Sequence, residues 1–139
     1  MVSTEPTSDT LAERYRSAVE ARDTTTLAEL YRSDVLLDVH VPNWRCQLHG
    51  CHPVADYTGG ALPGPGRFTS FRAEPTASGD LLVQFEWRQA GNGGEAVVRQ
   101  LHVWRLTGGR IAEQTLFCAG VWGPRLQQQM QLDAPLLRP

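Results

Sequence analysis

The chain has no apolar run near the roughly 20 residues that a membrane-crossing helix needs, so no segment reads as a helical span and no membrane partner is expected. It also lacks an excess of basic residues: 13 Lys and Arg face 15 Asp and Glu, for a net charge of −2. Without a positive field to attract phosphates, nucleic acid is not an expected partner. Cysteine is scarce and odd in number; Cys46, Cys51 and Cys118 cannot make a secreted disulfide framework. The opening MVSTEPTSDT has neither the basic segment nor the apolar stretch of a secretion signal, so a reducing cytoplasm is the expected location. There is no internal repeat and no shift in composition, which leaves one domain. A 41% apolar, 20% charged chain of 139 residues suits an ordinary globular protein with one real core. Its expected organisation is a flexible N-terminus over 1–8, a folded domain over 9–122 and a tail over 123–139 that docks as a short helix or frays.

Helical signals come first. Thr10-Leu-Ala-Glu13 reads as a capping box, followed by Leu11, Ala12, Tyr15, Ala18 and Val19 at helical spacing. Asp23 or Thr24 can cap a second, short helix whose Leu27, Leu30 and Tyr31 share a face. The period then changes to two. Val35, Leu37, Val39 and Val41 form one face of a strand, with Asp38 and His40 on the other unless a bulge reverses them locally. A loop around Trp44 to Gly50 leads to a short helix near His52–Tyr57, and glycines and prolines from Gly59 to Gly66 break the chain. Four strands follow, over Phe68–Glu74, Leu81–Arg88, Val97–Leu106 and Arg110–Cys118. Turn chemistry at Ala77–Asp80, Gly91–Gly94 and Thr107–Gly109 separates them. Helices first and a meander of strands afterwards predict an α+β domain with a curved antiparallel sheet.

This order resembles the nuclear transport factor 2-like (cystatin-like) superfamily, and within it ketosteroid isomerase and the SnoaL-like polyketide cyclases. The residues carrying the resemblance are Arg14-Tyr15, Asp23 with Leu27 and Leu30-Tyr31, Ser33-Asp34-Val35, Gly50, Gln84-Phe-Glu-Trp87 and the stretch His102 to Ile111. The resemblance implies a cone-shaped sheet wrapped over the N-terminal helices, a hydrophobic pocket inside the cone, and a homodimer paired through the outer sheet face. Leu101, Val103 and Phe117 are the candidates for that contact. In the isomerase, a helix tyrosine and a protonated acid form an oxyanion hole while a strand carboxylate moves the proton. Carried onto this chain, the tyrosine position falls on Tyr15, the acid position on His102 and the base position on Val39, with Asp38 one residue away.

The candidate catalytic residues are therefore Tyr15, His102, Asp38 and His40. Tyr15 lies on the apolar stripe of the first helix, as a core tyrosine or as a donor at the pocket floor. Alternation turns Gln100, His102 and Trp104 inward, where a histidine can be a satisfied core group or an acid–base group. Asp38 and His40 are co-facial, a spacing that lets a carboxylate orient an imidazole, or else form a solvated strand edge. Tyr57, Phe85, Trp87, Gln100, Trp104, Gln114 and Leu116 are the candidate pocket lining. The run from Cys46 to His52 holds four soft-metal ligand types but lacks paired, separated ligands; no metal or other cofactor is assigned, and the cysteines read as small buried hydrophobes. Two functions remain open. One is an acid–base isomerase, cyclase or dehydratase acting on a compact apolar molecule. The other is a non-catalytic module that binds a hydrophobic ligand or dimerises.

Overall fold

Strict alternation buries Leu81, Val83, Phe85, Trp87 and Gln89 and turns the residues between them outward, the burial signature of a sheet covered on one face. In the computed structural model, which describes residues 8–62 and 64–138, that strand lies inside a six-stranded sheet. The elements are α1 (Ser8–Ala21), α2 (Thr24–Leu30), β1 (Tyr31–Val41), β2 (Trp44–His49), α3 (Cys51–Ala61), β3 (Gly66–Pro75), β4 (Leu81–Gly91), β5 (Gly94–Thr107), β6 (Arg110–Trp122) and α4 (Pro124–Asp133). The sheet order is β2-β1-β6-β5-β4-β3. The meander β3 to β6 is antiparallel as expected, but β1 joins β6 in parallel, so the curved, unclosed sheet is mixed.

Local chemistry accounts for most boundaries. Asp23 caps α2 by accepting from the Thr26 backbone N–H at 3.0 Å and from its hydroxyl at 2.6 Å. The β5–β6 turn places Gly108 and Gly109 both at positive φ, +62° and +76°, which glycine adopts without the penalty other residues meet. The α1 helix already includes Ser8, so Thr10 sits in its first turn rather than at its cap. The segment around Trp44, expected as a loop, is strand β2 paired antiparallel with β1. Its residues are mostly exposed and do not alternate; pairing alone makes it a strand. The short helix near His52–Tyr57 runs from Cys51 to Ala61, and the tail forms α4. Of the expected N-terminal segment, residues 1–7 lie outside the described residues.

Helices α1, α2 and α3 cover one sheet face and enclose the core, with Leu11, Tyr15, Leu27, Leu30 and Val54 packed against Val35, Leu37, Val39, Val83, Phe85 and Trp104. Two irregularities shape the interior. Between Tyr31 and Leu36 the β1–β6 register shifts, and Tyr31, which starts the strand, is 1% exposed among the core groups. Between Val98 and Gln100 the β5–β6 register slips by one residue, beside Gly120 at φ +105°.

Candidate functional site

The interior polar cluster is built on β5 and β6 beneath α1. Alternation on β5 sends Gln100, His102 and Trp104 inward; β6 adds Gln114 and Leu116 in register opposite Trp104 and His102. Tyr15 arrives from α1, Tyr31 from the start of β1, and Thr58 from α3. His102, Gln114, Tyr15 and Tyr31 are all at most 3% exposed. Groups this deep must be hydrogen-bonded, and they are.

The indole of Trp104 decides the protonation of the whole cluster, because an indole N–H can only donate. It donates to His102 Nδ1 at 3.2 Å, so that nitrogen is the unprotonated one. The Gln114 amide N–H₂, 3.0 Å from the same nitrogen, donates too, which orients the amide. Gln114 Oε1 then accepts the Tyr31 hydroxyl at 2.7 Å, and its Nε2 also donates to the Tyr15 oxygen at 3.3 Å. Tyr31 and Thr58 hydroxyls share a 3.0 Å bond. The remaining proton of His102 is on Nε2 and is donated to Gln100 Oε1 at 2.8 Å. His102 is thus a neutral hydrogen-bond donor toward the interior.

Burial penalises charge here. It drives the His102 pKa down to about 3 and raises both the Tyr15 and Tyr31 phenols above their ordinary value; hydrogen bonds only partly offset this for Tyr15. Rings complete the packing: Tyr15 lies 4.5 Å from Trp104, and Phe85 meets His102 edge-on at 5.2 Å. The space left among Tyr15, Tyr57, Gln100, His102, Gln114 and Leu116 is a cavity of ≈ 10 Å³, about one water. The pocket expected from the sequence is closed in this structure, and its floor is polar.

The candidate residues divide. Tyr15, Tyr57, Phe85, Gln100, His102, Gln114 and Leu116 come together around the cavity. Trp104 stands behind His102 and Tyr15 rather than against the void, and Trp87 packs edge-on to Phe68 at 4.9 Å with its indole N–H on Gln89. Asp38 and His40 do not join the cluster. The register shift in β1 ends before Asp38, so alternation holds and both sit on the outer face, opposite Leu37 and Val39. There Asp38 takes a bidentate contact from Arg45 at 2.9 and 2.7 Å, whose hydrogen bonds hold its carboxyl down at about 2. His40 Nε2 is 3.3 Å from the same carboxylate, and its ring stacks on Phe117 at 4.5 Å. Reading these two as the base of an interior site fails on strand parity.

Tyr31 and Thr58 were missed. Tyr31 reads from sequence as part of the α2 face; as the first residue of β1 it shares the inward parity of Val35, Leu37 and Val39 and meets Gln114 there. A further correction concerns the cysteines: Cys46 is exposed, while Cys51 and Cys118 are half-buried and pack against the core. His49 and His52 are both exposed, and no three metal-ligand side chains converge among the described residues.

With the geometry in place, comparison with known proteins is decisive about kinship. The SnoaL-like domain family matches residues 12–114, most of the chain. The chain belongs to the SnoaL-like domain family. Solved structures share the fold at low identity. A candidate polyketide cyclase from Pseudomonas putida is 18% identical with a TM-score of 0.64, covering 89% of this chain and 97% of that one. A candidate ketosteroid isomerase from Kribbella flavida is 19% identical with a TM-score of 0.61, covering 82% and 78%. A bacterial protein with a cystatin-like fold from Silicibacter pomeroyi is 18% identical with a TM-score of 0.59, covering 94% and 89%. These likenesses concern this SnoaL-like domain's fold alone. No curated protein matches it. Among its described residues, no helix is long and apolar enough to cross a membrane.

Proposed function

We propose that this SnoaL-like domain binds a compact apolar molecule carrying one oxygen acceptor, and does so without acid–base turnover. The observation that carries the reading is the state of His102. Its Nδ1 is occupied by two donors, so the imidazole cannot take a proton from a ligand. None of the described residues around the cavity is a carboxylate. What the interior offers is donors: His102 Nε2–H, once Gln100 gives way, and the Tyr15 phenol, which burial keeps protonated. Such donors hold a carbonyl or hydroxyl oxygen, while proton abstraction needs a base within hydrogen-bond reach. Entry requires the ≈ 10 Å³ void to open. Gln100 and Tyr57, the half-buried groups at its edge, are the side chains placed to move.

The test is cyclohexenone, a small apolar ketone, followed by its carbonyl-carbon shift and by deuterium exchange at its acidic carbon. Saturable binding that Tyr15→Phe or His102→Asn weakens, with exchange at the buffer rate, supports the proposal. Exchange accelerated by the protein overturns it, as does an absence of binding.

The homodimer is also a proposal. Leu82 pairs with Val103 and Leu101 with Phe117 across neighbouring strands, giving a contiguous apolar patch on the outer face. Leu82, Leu101 and Phe117 are 39%, 39% and 48% exposed. A second copy would cover this patch, with the His40–Phe117 stack at its edge. The cytoplasm remains the proposed location.

A further inference from the structure

Room for a drug-sized molecule exists in this structure, but outside the cone. Helix α4 lies over the end of the outer sheet face, where Val97 is only 3% exposed although its strand neighbour Arg99 points to solvent. Beneath the helix is a groove of ≈ 650 Å³ lined by Arg88, Arg99, Trp122, Met130, Leu136 and Arg138. That volume falls within the range of small-molecule sites, roughly 300–1,000 Å³. The helix is anchored near its N-terminal end: Gln127 Nε2 donates to the carbonyls of Glu95 and Trp122 at 2.9 and 2.8 Å, and Pro124 closes over Gly94.

The charge of the groove is unbalanced. Arg88 and Arg99 share one carboxylate, Glu86: Arg88 through Nε at 2.8 Å, Arg99 through Nε and Nη2 at 2.9 and 2.7 Å. Among the described residues no hydrogen bond engages the terminal nitrogens of Arg88. Glu95 also lines the groove; its carboxylate is turned to Arg67 at 2.6 and 3.4 Å, whose hydrogen bonds, with the charges of Arg67 and Arg88, hold its pKa down. Arg138 makes no ion pair among the described residues. The apolar side is as definite. The Trp122 ring, with the Arg99 guanidinium 6.0 Å above it, lines the groove together with Met130 and Leu136, the latter 62% exposed. Guanidinium forks beside an aromatic and aliphatic wall suit an oxyanion on an apolar body, such as a carboxylate.

We propose that the groove under α4 is a binding site for an amphiphilic carboxylate, its anion held by Arg88 and Arg138 and its apolar body laid against Trp122 and Met130. The site is separate from the interior cluster, so the two readings fail independently. The probe is 2-naphthoate, titrated into the full chain by calorimetry, with 2-naphthalenemethanol as its uncharged counterpart. Saturable binding of naphthoate below about 1 mM, at least about tenfold tighter than the alcohol, is expected. Arg88→Gln with Arg138→Gln should weaken it by about tenfold or more. Met130→Trp, which fills the groove from the helix and leaves the Glu86 network untouched, should abolish it, with an unchanged thermal melt showing that the variant is folded. Tyr15→Phe should leave naphthoate binding intact while weakening cyclohexenone. No saturable binding, equal affinity for the alcohol, or undiminished binding by folded Met130→Trp would each overturn the proposal.

Discussion

The protonation of His102 makes stability depend on pH in a way that can be calculated. In the unfolded chain its imidazole takes a proton near pH 6.5, whereas burial holds the folded group at about 3. Between these values the unfolded state binds a proton that the native state refuses. Stability is therefore complete above about pH 6.5 and falls by about 1.4 kcal/mol for each unit below it. By pH 5 the loss is about 2 kcal/mol, a large part of the roughly 5–15 kcal/mol that holds a domain of this kind folded. Asp38 and Glu86 act lower. The Asp38 carboxyl sits at about 2 through its Arg45 bonds. Burial opposes the ionisation of Glu86, but hydrogen bonds from Thr69, Arg88 and Arg99 overcome it and hold that carboxyl at about 2 as well. Their stabilisation is present above the ordinary carboxylate range, about pH 4, and is lost as pH falls through about 2. The interval from pH 6.5 to 5 is clear of them. The assay is urea unfolding across that interval for the native chain and for His102→Asn, whose amide oxygen can accept from Trp104 and Gln114 as Nδ1 does. The variant should be less stable at pH 7.5 yet lose less on acidification, by about 2 kcal/mol at pH 5. Identical slopes in the two proteins, or an His102 ring proton that titrates near pH 6.5 by NMR, would refute the reasoning.

Replacing Gln114 by Leu leaves Tyr31, Tyr15 and His102 each short of a partner in the buried interior and should cost about 2 kcal/mol or more in denaturant unfolding, with the slope unchanged. Gly66→Ala would set a methyl carbon 2.5 Å from the Trp87 ring, which is buried and bonded to Gln89; a destabilisation of about 1–3 kcal/mol and a shifted tryptophan emission are expected. Phe117→Glu, within the proposed copy-to-copy contact, should turn a sedimenting dimer into a monomer with its melting temperature little changed. A native chain that already sediments at 15.4 kDa would refute that contact.

Much of the fold was legible because it is written in local periods. The stripe from Leu11 to Val19, the alternation from Leu81 to Gln89, the Asp23 cap and the paired glycines at 108 and 109 act within a few residues, so their chemistry needs no partner from elsewhere. The inward face of β5 followed from the same parity, which placed Gln100, His102 and Trp104, and it correctly set Asp38 and His40 apart from Val39. Other features depend on residues far apart in the chain. β2 has no alternation of its own and is a strand only because β1 lies beside it. Tyr31 shares the inward parity of Val35 and Leu37, but its partners Thr58 and Gln114 lie 27 and 83 residues further along the chain, so their meeting is not encoded locally. Val97 is buried on the outer face by a helix that begins 27 residues later, at Pro124. The role of His102 is the sharpest case. Sequence placed it inside, but its proton is set by an indole two residues along and an amide twelve residues away, on a neighbouring strand. Parity is a property of a segment; tautomer, cavity volume and charge balance are properties of what the fold brings into contact.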